Sequence, residues 1–440
     1  MLTGIIKISL VIVILGPVVS ASQFYQSSIE GKVVQIEFDS DLNSYVISRS
    51  PNNSETFYKL NSKNEYIQVE TFKKILKLIV TANNDVYIFE KSNENEARIW
   101  KRKWNSLIFK IIYNYRIRER NFSNPNVIFA DHEDNMFFNT IHGVEMLRHN
   151  SKFPQGIVNL NNFYIKDDKN YLIDKRGNII LSGFDSHKVN TFAVITRDEI
   201  CRAIPTALKL SNHPDLASLK SIVKDYGGKI YFVHENPAKV FRSHIFDKRG
   251  HIYKNSNGDL DIYNEPLLSQ SHYQYSNFFI SKNRLYLTAL NIYKKNDDVK
   301  PCYLFYIEEG EPGFINDIFN DTLCEPNPNY FSSDNFGKFY YGDYETNKIY
   351  VVQNGVLSNL QFAANYPISA ISVDHNDNLI VLAGNLYLLK KDGCEFVKLT
   401  DEPITDFSLI KIKKKTNEVF IGTQNGLYVH CNPDLACENR

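Results

Sequence analysis

The chain alternates short apolar runs with polar turns along most of its length. Near its end, the runs Val419–Thr423 and Leu427–His430 flank the pair Asn425-Gly426. Asn-Gly favours a type I′ turn, whose twist matches that of two antiparallel strands. This stretch therefore predicts a β-hairpin closed by a type I′ turn.

An Asx or Gly turn that leads into an aromatic or β-branched strand recurs nine times. The nine segments begin at Leu42, Asn83, Asp131, Arg176, Tyr226, Lys282, Asn335, Asp374 and Thr416. Their mean spacing is about 47 residues, close to the ~40–50 residues of a four-stranded propeller blade. The recurrence therefore indicates an array of small β-sheets.

The clearest single unit is Ile368–Pro403. Its runs Ile368–Val373, Leu379–Leu382, Leu386–Leu389 and Phe396–Leu399 are separated by tight turns, as expected for four short strands. A β-sandwich also has short strands at regular spacing, but it has no reason to repeat a four-stranded unit. We predict one all-β domain, a β-propeller of seven or eight four-stranded blades, or of six if the middle of the chain carries insertions.

Ring closure and one helix are further expectations. A propeller must join its two ends to remove its last open edge, so we expect Gly31–Phe38 to pair into the blade that ends at His430. Between blades, Asp215 is a candidate N-cap, the apolar residues at 216, 219, 222 and 223 share one helical face, and Gly227-Gly228 would end a short helix.

The first 21 residues are typical of a secretory signal peptide. An apolar run from Ile8 to Val19 is interrupted by Gly16-Pro17 and precedes Val19-Ser20-Ala21, with compact residues at the −3 and −1 positions of a cleavage site. The run is shorter than the ~20 residues that span a bilayer. We expect a secreted protein, with the propeller domain at residues 22–440.

Six cysteines and three sequons are consistent with secretion. The cysteines Cys201, Cys302, Cys324, Cys394, Cys431 and Cys437 suggest up to three disulfides. Proximity in sequence favours Cys302–Cys324 and Cys431–Cys437, which leaves Cys201 with Cys394, although sequence cannot select among the pairings. The glycosylation sequons begin at Asn52, Asn121 and Asn320.

Charge and motifs restrict the function. Fifty basic and fifty acidic residues give no net charge, which argues against nucleic acid or an acidic membrane face as the main partner. Glycine-rich phosphate loops, nucleophile elbows and zinc-protease motifs are absent from the sequence, so we predict no catalytic residues and no cofactor. Asp131–Asn135 and Asp374–Asn378 carry alternate carboxylates that would suit calcium, but Asx residues also stabilise β-turns. We therefore favour turns and predict no metal site.

Arg98–Phe122 differs in composition from the rest of the chain. It contains both tryptophans and eight Lys or Arg residues against one Glu. Aromatic faces interleaved with cations can hold a planar, partly anionic ligand by stacking and cation–π contact. The candidate ligand-binding residues are Trp100, Arg102, Trp104, Tyr113 and Tyr115. The alternative is a pair of edge strands guarded against pairing by Lys and Arg.

Two stretches carry a resemblance to a known family. Asn126–Val144, with its phrase Asp131-His-Glu-Asp-Asn-Met-Phe-Phe138, and Thr416–Val429 resemble the ommochrome-binding proteins of insect haemolymph. The resemblance covers about four repeats, and the second stretch is also similar to propeller repeats in general. It implies a secreted insect propeller that binds a small aromatic metabolite such as an ommochrome pigment. It supplies no ligand-contacting residues.

We expect a secreted, glycosylated, monomeric binding protein for a small aromatic ligand, without catalysis and without nucleic-acid or membrane partners. Two alternatives remain. One is a metal-dependent, lactonase-like propeller hydrolase, which needs three or four Glu, Asn or Asp side chains at the channel mouth. The other is a venom or saliva interaction protein that takes no small ligand.

Overall fold

The computed structural model describes residues 23–60, 65–104, 106–117, 127–149, 151–165, 171–174, 176–184, 190–201, 208–211, 219–224, 230–234, 238–243, 266–270, 273–281, 284–291, 302–308, 311–319, 330–354, 356–413 and 416–431. Within these ranges the chain forms 37 β-strands and one short helix. The strands form nine antiparallel sheets.

The N-terminal strand precedes three sheets of four strands each. These strands are β1 (Gln23–Gln26), then β2 (Lys32–Phe38), β3 (Ser44–Arg49), β4 (Glu55–Leu60) and β5 (Tyr66–Phe72) of the first sheet, β6 (Ile75–Val80), β7 (Val86–Lys91), β8 (Glu96–Arg102) and β9 (Lys110–Arg116) of the second, and β10 (Ile128–Ala130), β11 (Met136–Thr140), β12 (Gly143–Leu147) and β13 (Gln155–Asn161) of the third.

The fourth sheet has its first strand in two pieces, which both pair with the second strand. The next three sheets comprise β14 (Tyr164–Ile165), β15 (Tyr171–Ile173), β16 (Ile179–Phe184), β17 (Asn190–Ile195), helix α1 (Arg197–Cys201) and β18 (Leu208–Ser211); β19 (Leu219–Lys224), β20 (Ile230–His234), β21 (Ala238–Ser243) and β22 (Pro266–Gln270); and β23 (Tyr273–Ser281), β24 (Arg284–Asn291), β25 (Cys302–Glu308) and β26 (Glu311–Phe319).

The last three sheets return the chain to its start. They comprise β27 (Phe331–Ser333), β28 (Phe339–Asp343), β29 (Lys348–Gln353) and β30 (Val356–Leu360); β31 (Ala370–Val373), β32 (Leu379–Ala383), β33 (Asn385–Leu389) and β34 (Val397–Lys398); and β35 (Phe407–Ile412), β36 (Val419–Thr423) and β37 (Gly426–Cys431).

The nine sheets form a closed ring. Each sheet contacts the next in sequence, and β35 of the ninth contacts β2 of the first. Several of these contacts join first strands, as between β2 and β6, β6 and β10, and β31 and β35, so the first strand of each sheet is innermost. The chain is therefore a β-propeller, which confirms the predicted fold class.

The number of sheets exceeds the predicted seven or eight. Each of the nine turns found in the sequence leads into the second strand of a different sheet, from β3 to β36. None of the nine was spurious. The predicted unit at Ile368–Pro403 is the eighth sheet, with four strands as expected.

Ring closure uses a different N-terminal strand from the predicted one. The ninth sheet has the order β1, β37, β36, β35, so Gln23–Gln26 supplies its outermost strand. The prediction that Gly31–Phe38 pairs into this closing sheet was wrong. These residues include β2, which is the innermost strand of the first sheet. It still ties the two ends together: Ser408 Oγ donates to the Val33 carbonyl at 2.8 Å, and Lys411 lies 3.0 Å from Glu37.

The second strands form the centre of the core between sheets. Along β11, β28, β32 and β36 every residue is buried, because both faces of each strand pack against neighbouring sheets. Phe89 of the second sheet lies 5.5 Å, ring centre to ring centre, from Phe138 of the third. This burial on both faces explains why the sequence shows continuous apolar runs at these positions.

The turn between the first and second strands repeats one Asx design. In the third sheet, Asp131 Oδ1 accepts hydrogen bonds from the backbone N–H groups of Glu133 and Asn135, and Asn135 Nδ2 donates to Asp131 Oδ2 at 2.8 Å. Asp374 and Asn378 repeat these bonds in the eighth sheet. The fourth turn residue has a left-handed backbone, which Asn, Asp and Gly adopt most readily. Such residues are Leu42, Asn84, Asp134, Gly177, Gly337 and Asp377, and Asn417 has the equivalent place in the ninth sheet, whose turn is one residue longer.

The side chain at this fourth position links one sheet to the preceding sheet. Asn84 Oδ1 accepts from Ser40 N at 3.0 Å, and Asp134 Oδ1 accepts from Ala82 N at 3.1 Å. Asp377 and Asn417 make the equivalent bonds to Asn335 N and His375 N. Because these hydrogen bonds join neighbouring sheets, the side chains stabilise the order of the blades as well as the turn.

Replacing Asn84 by alanine is expected to lower the free energy of unfolding by about 2 kcal/mol, because Ser40 loses its acceptor and a Cβ-bearing residue must keep φ near +61°. Glycine at the same position removes the hydrogen bonds and relieves the backbone cost. Urea unfolding should therefore place Asn84→Gly between wild type and Asn84→Ala. Equal stability of the alanine and glycine variants would contradict a backbone contribution.

Two local predictions were wrong. In the C-terminal hairpin the two loop residues are Gln424 and Asn425, and the left-handed residue is Gly426, at the start of β37, so the turn is not type I′. Gly426 is needed because a Cβ there would lie 2.6 Å from the Ile29 carbonyl oxygen. The predicted helix after Asp215 is replaced at Leu219–Lys224 by strand β19, since pairing with β20 outweighs the local helical pattern.

The cysteines divide into bonded and free groups. Cys302 is disulfide-bonded, as expected, while its predicted partner Cys324 lies outside the described residues. Cys201 and Cys394 are both free and exposed, so the predicted Cys201–Cys394 bond is wrong. Cys431 ends β37, and Cys437 lies outside the described residues.

Asn52 is exposed in the turn between β3 and β4, where a glycan has room. Asn121, Asn320 and the predicted signal peptide at 1–21 lie outside the described residues. Among the residues that are described, no helix combines the length and the apolar character required to cross a bilayer.

Candidate functional site

The five predicted ligand-binding residues lie on two faces and one loop of the second sheet. Trp100 and Arg102 of β8 face the first sheet, whereas Tyr113 and Tyr115 of β9 face the third. Trp104 follows β8 in the loop to β9. The structure therefore does not bring the five together into one ligand-binding surface.

Trp100 and Arg102 take part in packing between the first and second sheets. Trp100 Nε1 donates a 2.8 Å hydrogen bond to Glu90 Oε2. Arg102 is fully buried, with its guanidinium carbon 5.2 Å from the Tyr45 ring centre and 6.0 Å from that of Phe109. Its Nη1 donates to the Ser106 carbonyl at 2.8 Å. These contacts hold a charged group in an aromatic cage by cation–π attraction.

Tyr113 and Tyr115 stack on each other between the second and third sheets. Their ring centres are 6.4 Å apart with nearly parallel planes, and Tyr115 also packs 4.9 Å from Phe138. Burial raises the pKa of the Tyr115 hydroxyl far above its usual range, and nearby Glu145 adds to this effect. Tyr115 is therefore a neutral core residue at physiological pH.

The carboxylates considered for calcium are occupied by the chain itself. Asp131 and Asp374 accept hydrogen bonds from turn N–H groups and from Asn135 or Asn378, in line with the favoured turn interpretation. Among the residues that the structure describes, no three His, Cys, Asp or Glu side chains are grouped closely enough to hold a metal ion.

A pocket of about 380 Å³ lies between the third and fourth sheets. The turn after β10 supplies one side of it, the turn after β15 supplies another, and α1 covers the third. Its lining residues are Asp131, His132, Glu133, Arg176, Gly177, Arg197 and Ile200. A pocket of this volume suits a small organic molecule.

Short hydrogen bonds fix α1 against the two turns. Arg197 N donates to Asn178 Oδ1 at 2.9 Å, and Arg148 Nη2 donates to the Ile200 carbonyl at 2.8 Å. Gly177 has φ +84°, and a Cβ there would lie 3.2 Å from Arg197 Cδ. The aliphatic part of the Arg197 side chain therefore packs against Gly177, and the positive φ of the turn also requires glycine at this position.

The pocket carries opposite charges at its rim. Arg197 Nε and Nη2 both donate to Glu133 Oε1, at 3.0 and 2.7 Å, and this bond raises the pKa of the guanidinium. Glu133 Oε2 lies 3.9 Å from the Cys201 sulfur. Arg176 and His132 add two more nitrogen-bearing groups. Arg176 and Arg197 thus bring two cationic groups to the pocket, and the Asp131 carboxylate also accepts hydrogen bonds from its own turn.

The sequence indicated only half of this site. The stretch from Asp131 to Asn135 was singled out as a turn, and Arg176 began another of the nine segments. The missing element was α1, whose five residues are too short to show a helical pattern. Without α1, no sequence feature placed Arg197 beside Glu133.

No protein-family profile matches the chain, and no curated protein matches it in sequence. Solved structures do match in fold. Sqt1 of Saccharomyces cerevisiae is 9% identical over 93% of this chain and 98% of its own, with a TM-score of 0.47. YCF48 from Cyanidioschyzon merolae is 8% identical over 93% and 99%, with a TM-score of 0.38.

The β-propeller domain of the Trilobed protease from Pyrococcus furiosus is 10% identical over 85% of this chain and 99% of that domain, with a TM-score of 0.37. These likenesses concern the fold alone, which the ring of nine sheets already defines.

Proposed function

We propose that this protein is a secreted, non-catalytic binding protein whose pocket between the third and fourth sheets holds a small aromatic acid. The pocket itself carries the proposal: about 380 Å³ of space, two arginines and a histidine at the rim, and the apolar Ile200 in the wall. Ligand sites commonly combine a mostly pre-formed cavity with a few placed polar groups.

The chemistry of the rim favours an anionic planar ligand. Guanidinium groups bind carboxylates through paired hydrogen bonds and stack on aromatic rings. Glu133 holds Arg197 in place until a ligand carboxylate competes for it. In an exposed pair such as this one, little free energy opposes the exchange.

The stretch that resembles ommochrome-binding proteins supplies three of the lining residues, Asp131, His132 and Glu133. That resemblance supports a tryptophan-derived aromatic acid as the ligand class. Ommochromes and xanthurenic acid are the first compounds to test.

Calorimetric titration with xanthurenic acid should detect binding to the wild-type protein, and Arg197→Ala should weaken it by roughly tenfold or more through loss of a charge-assisted hydrogen bond. Arg176→Ala tests the second guanidinium. The matched control is Lys411→Ala, which removes a cation from another partly exposed ion pair, that with Glu37 between the ninth and first sheets.

Unchanged affinity in both pocket variants would place the ligand elsewhere. Absence of binding by the wild-type protein to ommochromes and to xanthurenic acid would reject the ligand class.

A further inference from the structure

Two neighbouring loops of the second and third sheets share one local structure. In the first, Ser106 N donates to the Lys103 carbonyl and Ile108 N donates to Ser106 Oγ, both at 3.0 Å. In the second, Ser151 N donates to the Arg148 carbonyl at 2.9 Å and Phe153 N donates to Ser151 Oγ at 3.2 Å. We call residues 103–111 and 148–153 the loop pair.

The loop pair presents apolar side chains to solvent. Trp104 is 55% exposed, Leu107 54%, Ile108 68% and Phe153 70%. Ile111, at the start of the outer strand β9, is exposed as well. Isolated exposed apolar residues are ordinary, but a run of this size marks an interaction surface.

The first loop is held rigidly from beneath. Arg102 donates to the Ser106 carbonyl, and Trp104 N donates to Asp85 Oδ1 at 3.2 Å. Phe109 is buried with its ring 5.2 Å from that of Phe57. The exposed side chains are therefore displayed on an ordered support, so binding would cost little loop entropy.

Both loops lie on one face of the ring and are basic. Each connects the third strand of its sheet to the fourth, β8 to β9 and β12 to β13, and the two sheets are neighbours. The first loop carries Lys103 and Lys110, and the second carries Arg148 and Lys152. Neither segment contains Asp or Glu. The two segments are therefore basic in composition, although the chain as a whole carries no net charge.

We propose that the loop pair docks this protein on an anionic lipid surface. Segments that insert into the interface of an acidic bilayer typically combine exposed Trp, Leu, Ile or Phe side chains with flanking Lys and Arg. Lysine and arginine near such a surface each add attraction to anionic head groups. A lipid interface is deformable, so it can accept exposed apolar side chains without a pre-formed complementary cavity.

Trp104 provides a direct probe of docking. In Trp100→Phe protein it is the sole tryptophan, and its emission should shift to the blue when vesicles of phosphatidylserine mixed with phosphatidylcholine are added. Pure phosphatidylcholine vesicles should give a much smaller shift, and added salt should reverse the shift in part.

Sedimentation with the same vesicles tests the other exposed apolar side chains of the loop pair. Ile108→Ser with Phe153→Ser should reduce the vesicle-bound fraction roughly tenfold or more, since each lost apolar side chain removes about that factor. Val397→Ser, which replaces another exposed apolar residue (53%) on the eighth sheet, is the control and should bind as wild type. Lys103→Gln with Lys110→Gln should weaken binding to anionic vesicles only.

Three results would overturn the proposal: no shift of Trp104 emission, equal binding to neutral and anionic vesicles, or full binding by the double serine variant. Because the serine and glutamine substitutions are all at exposed positions, circular dichroism of those variants should match that of the wild type.

Discussion

Replacing Lys413 by methionine is expected to lower the free energy of unfolding by about 3–5 kcal/mol, because it removes a cation that is paired with a buried carboxylate. Lys413 Nζ lies 2.9 Å from Glu418 Oε2, and the two side chains are only 1% and 7% exposed. The contact is an ion pair without good hydrogen-bond geometry at Nζ. Urea unfolding of the variant measures the loss directly.

The position of this pair in the repeat explains the size of the effect. Several other sheets place Asp at the first turn position and Asn at the fifth, as in Asp131 and Asn135, so that N–H donors stabilise the carboxylate. The ninth sheet places Lys413 first, and Glu418 follows the left-handed Asn417 in a turn that is one residue longer. Thr416 Oγ1 donates a hydrogen bond to Glu418 Oε2 at 2.8 Å.

A second substitution separates charge from packing. Glu418→Gln added to Lys413→Met removes the negative charge that Lys413 balances while keeping an acceptor for Thr416, so the double variant should regain much of the lost stability. Lys411→Met is the control, since its ion pair with Glu37 is partly exposed and is worth about 1 kcal/mol or less. If the single variant at 413 lost no more stability than the one at 411, burial would not be the determinant.

The architecture could be predicted from the sequence because local sequence patterns determine the strands and the turns between them. Asx turns and continuous apolar runs, such as Asp374–Asn378 followed by Leu379–Leu382, arise from backbone geometry and burial on both faces. Nine of these signatures gave nine sheets. The predicted blade number fell short because it allowed for one chance match among the nine turn signatures, whereas each of the nine belongs to a separate sheet.

The candidate site could not be predicted in the same way, because it depends on contacts between sheets. Arg197 and Glu133 are 64 residues apart and meet only when α1 lies across two turns. Composition instead drew attention to Arg98–Phe122, where Arg102 and Tyr115 are buried on opposite faces of one sheet. In a strand, alternation sends neighbouring residues to different faces, so a cluster in sequence need not be a cluster in space.

Acidification is expected to destabilise the closing sheet through His430. This residue lies in β37 between β36 and β1, opposite Val419 and Phe24. Its side chain is 2% exposed and its Nδ1 has no hydrogen-bond partner among the described residues. Burial disfavours the charged imidazolium and lowers the pKa of His430 from 6.5 to about 4.

The sign of the effect follows from proton binding. Above pH 6.5 the imidazole is neutral in both the folded and the unfolded chain, and its contribution to stability is fully present. As the pH falls from 6.5 towards 4, the unfolded chain takes up a proton that the folded chain excludes. The loss reaches about 3 kcal/mol and then levels off below pH 4, since one pKa unit corresponds to ~1.4 kcal/mol.

Urea unfolding of wild-type protein and of His430→Gln at several pH values isolates this group. Carboxylates lose their native interactions in both proteins over the same range, so the difference between the two curves reports His430 alone. Wild type should lose more stability than the variant between pH 6.5 and 4, and the two curves should run parallel above pH 7. Parallel curves throughout would mean that the imidazole is protonated as easily in the folded chain as in the unfolded one. In that case the strand β1, which pairs with β37 to close the ring, would not be weakened by acid at this position.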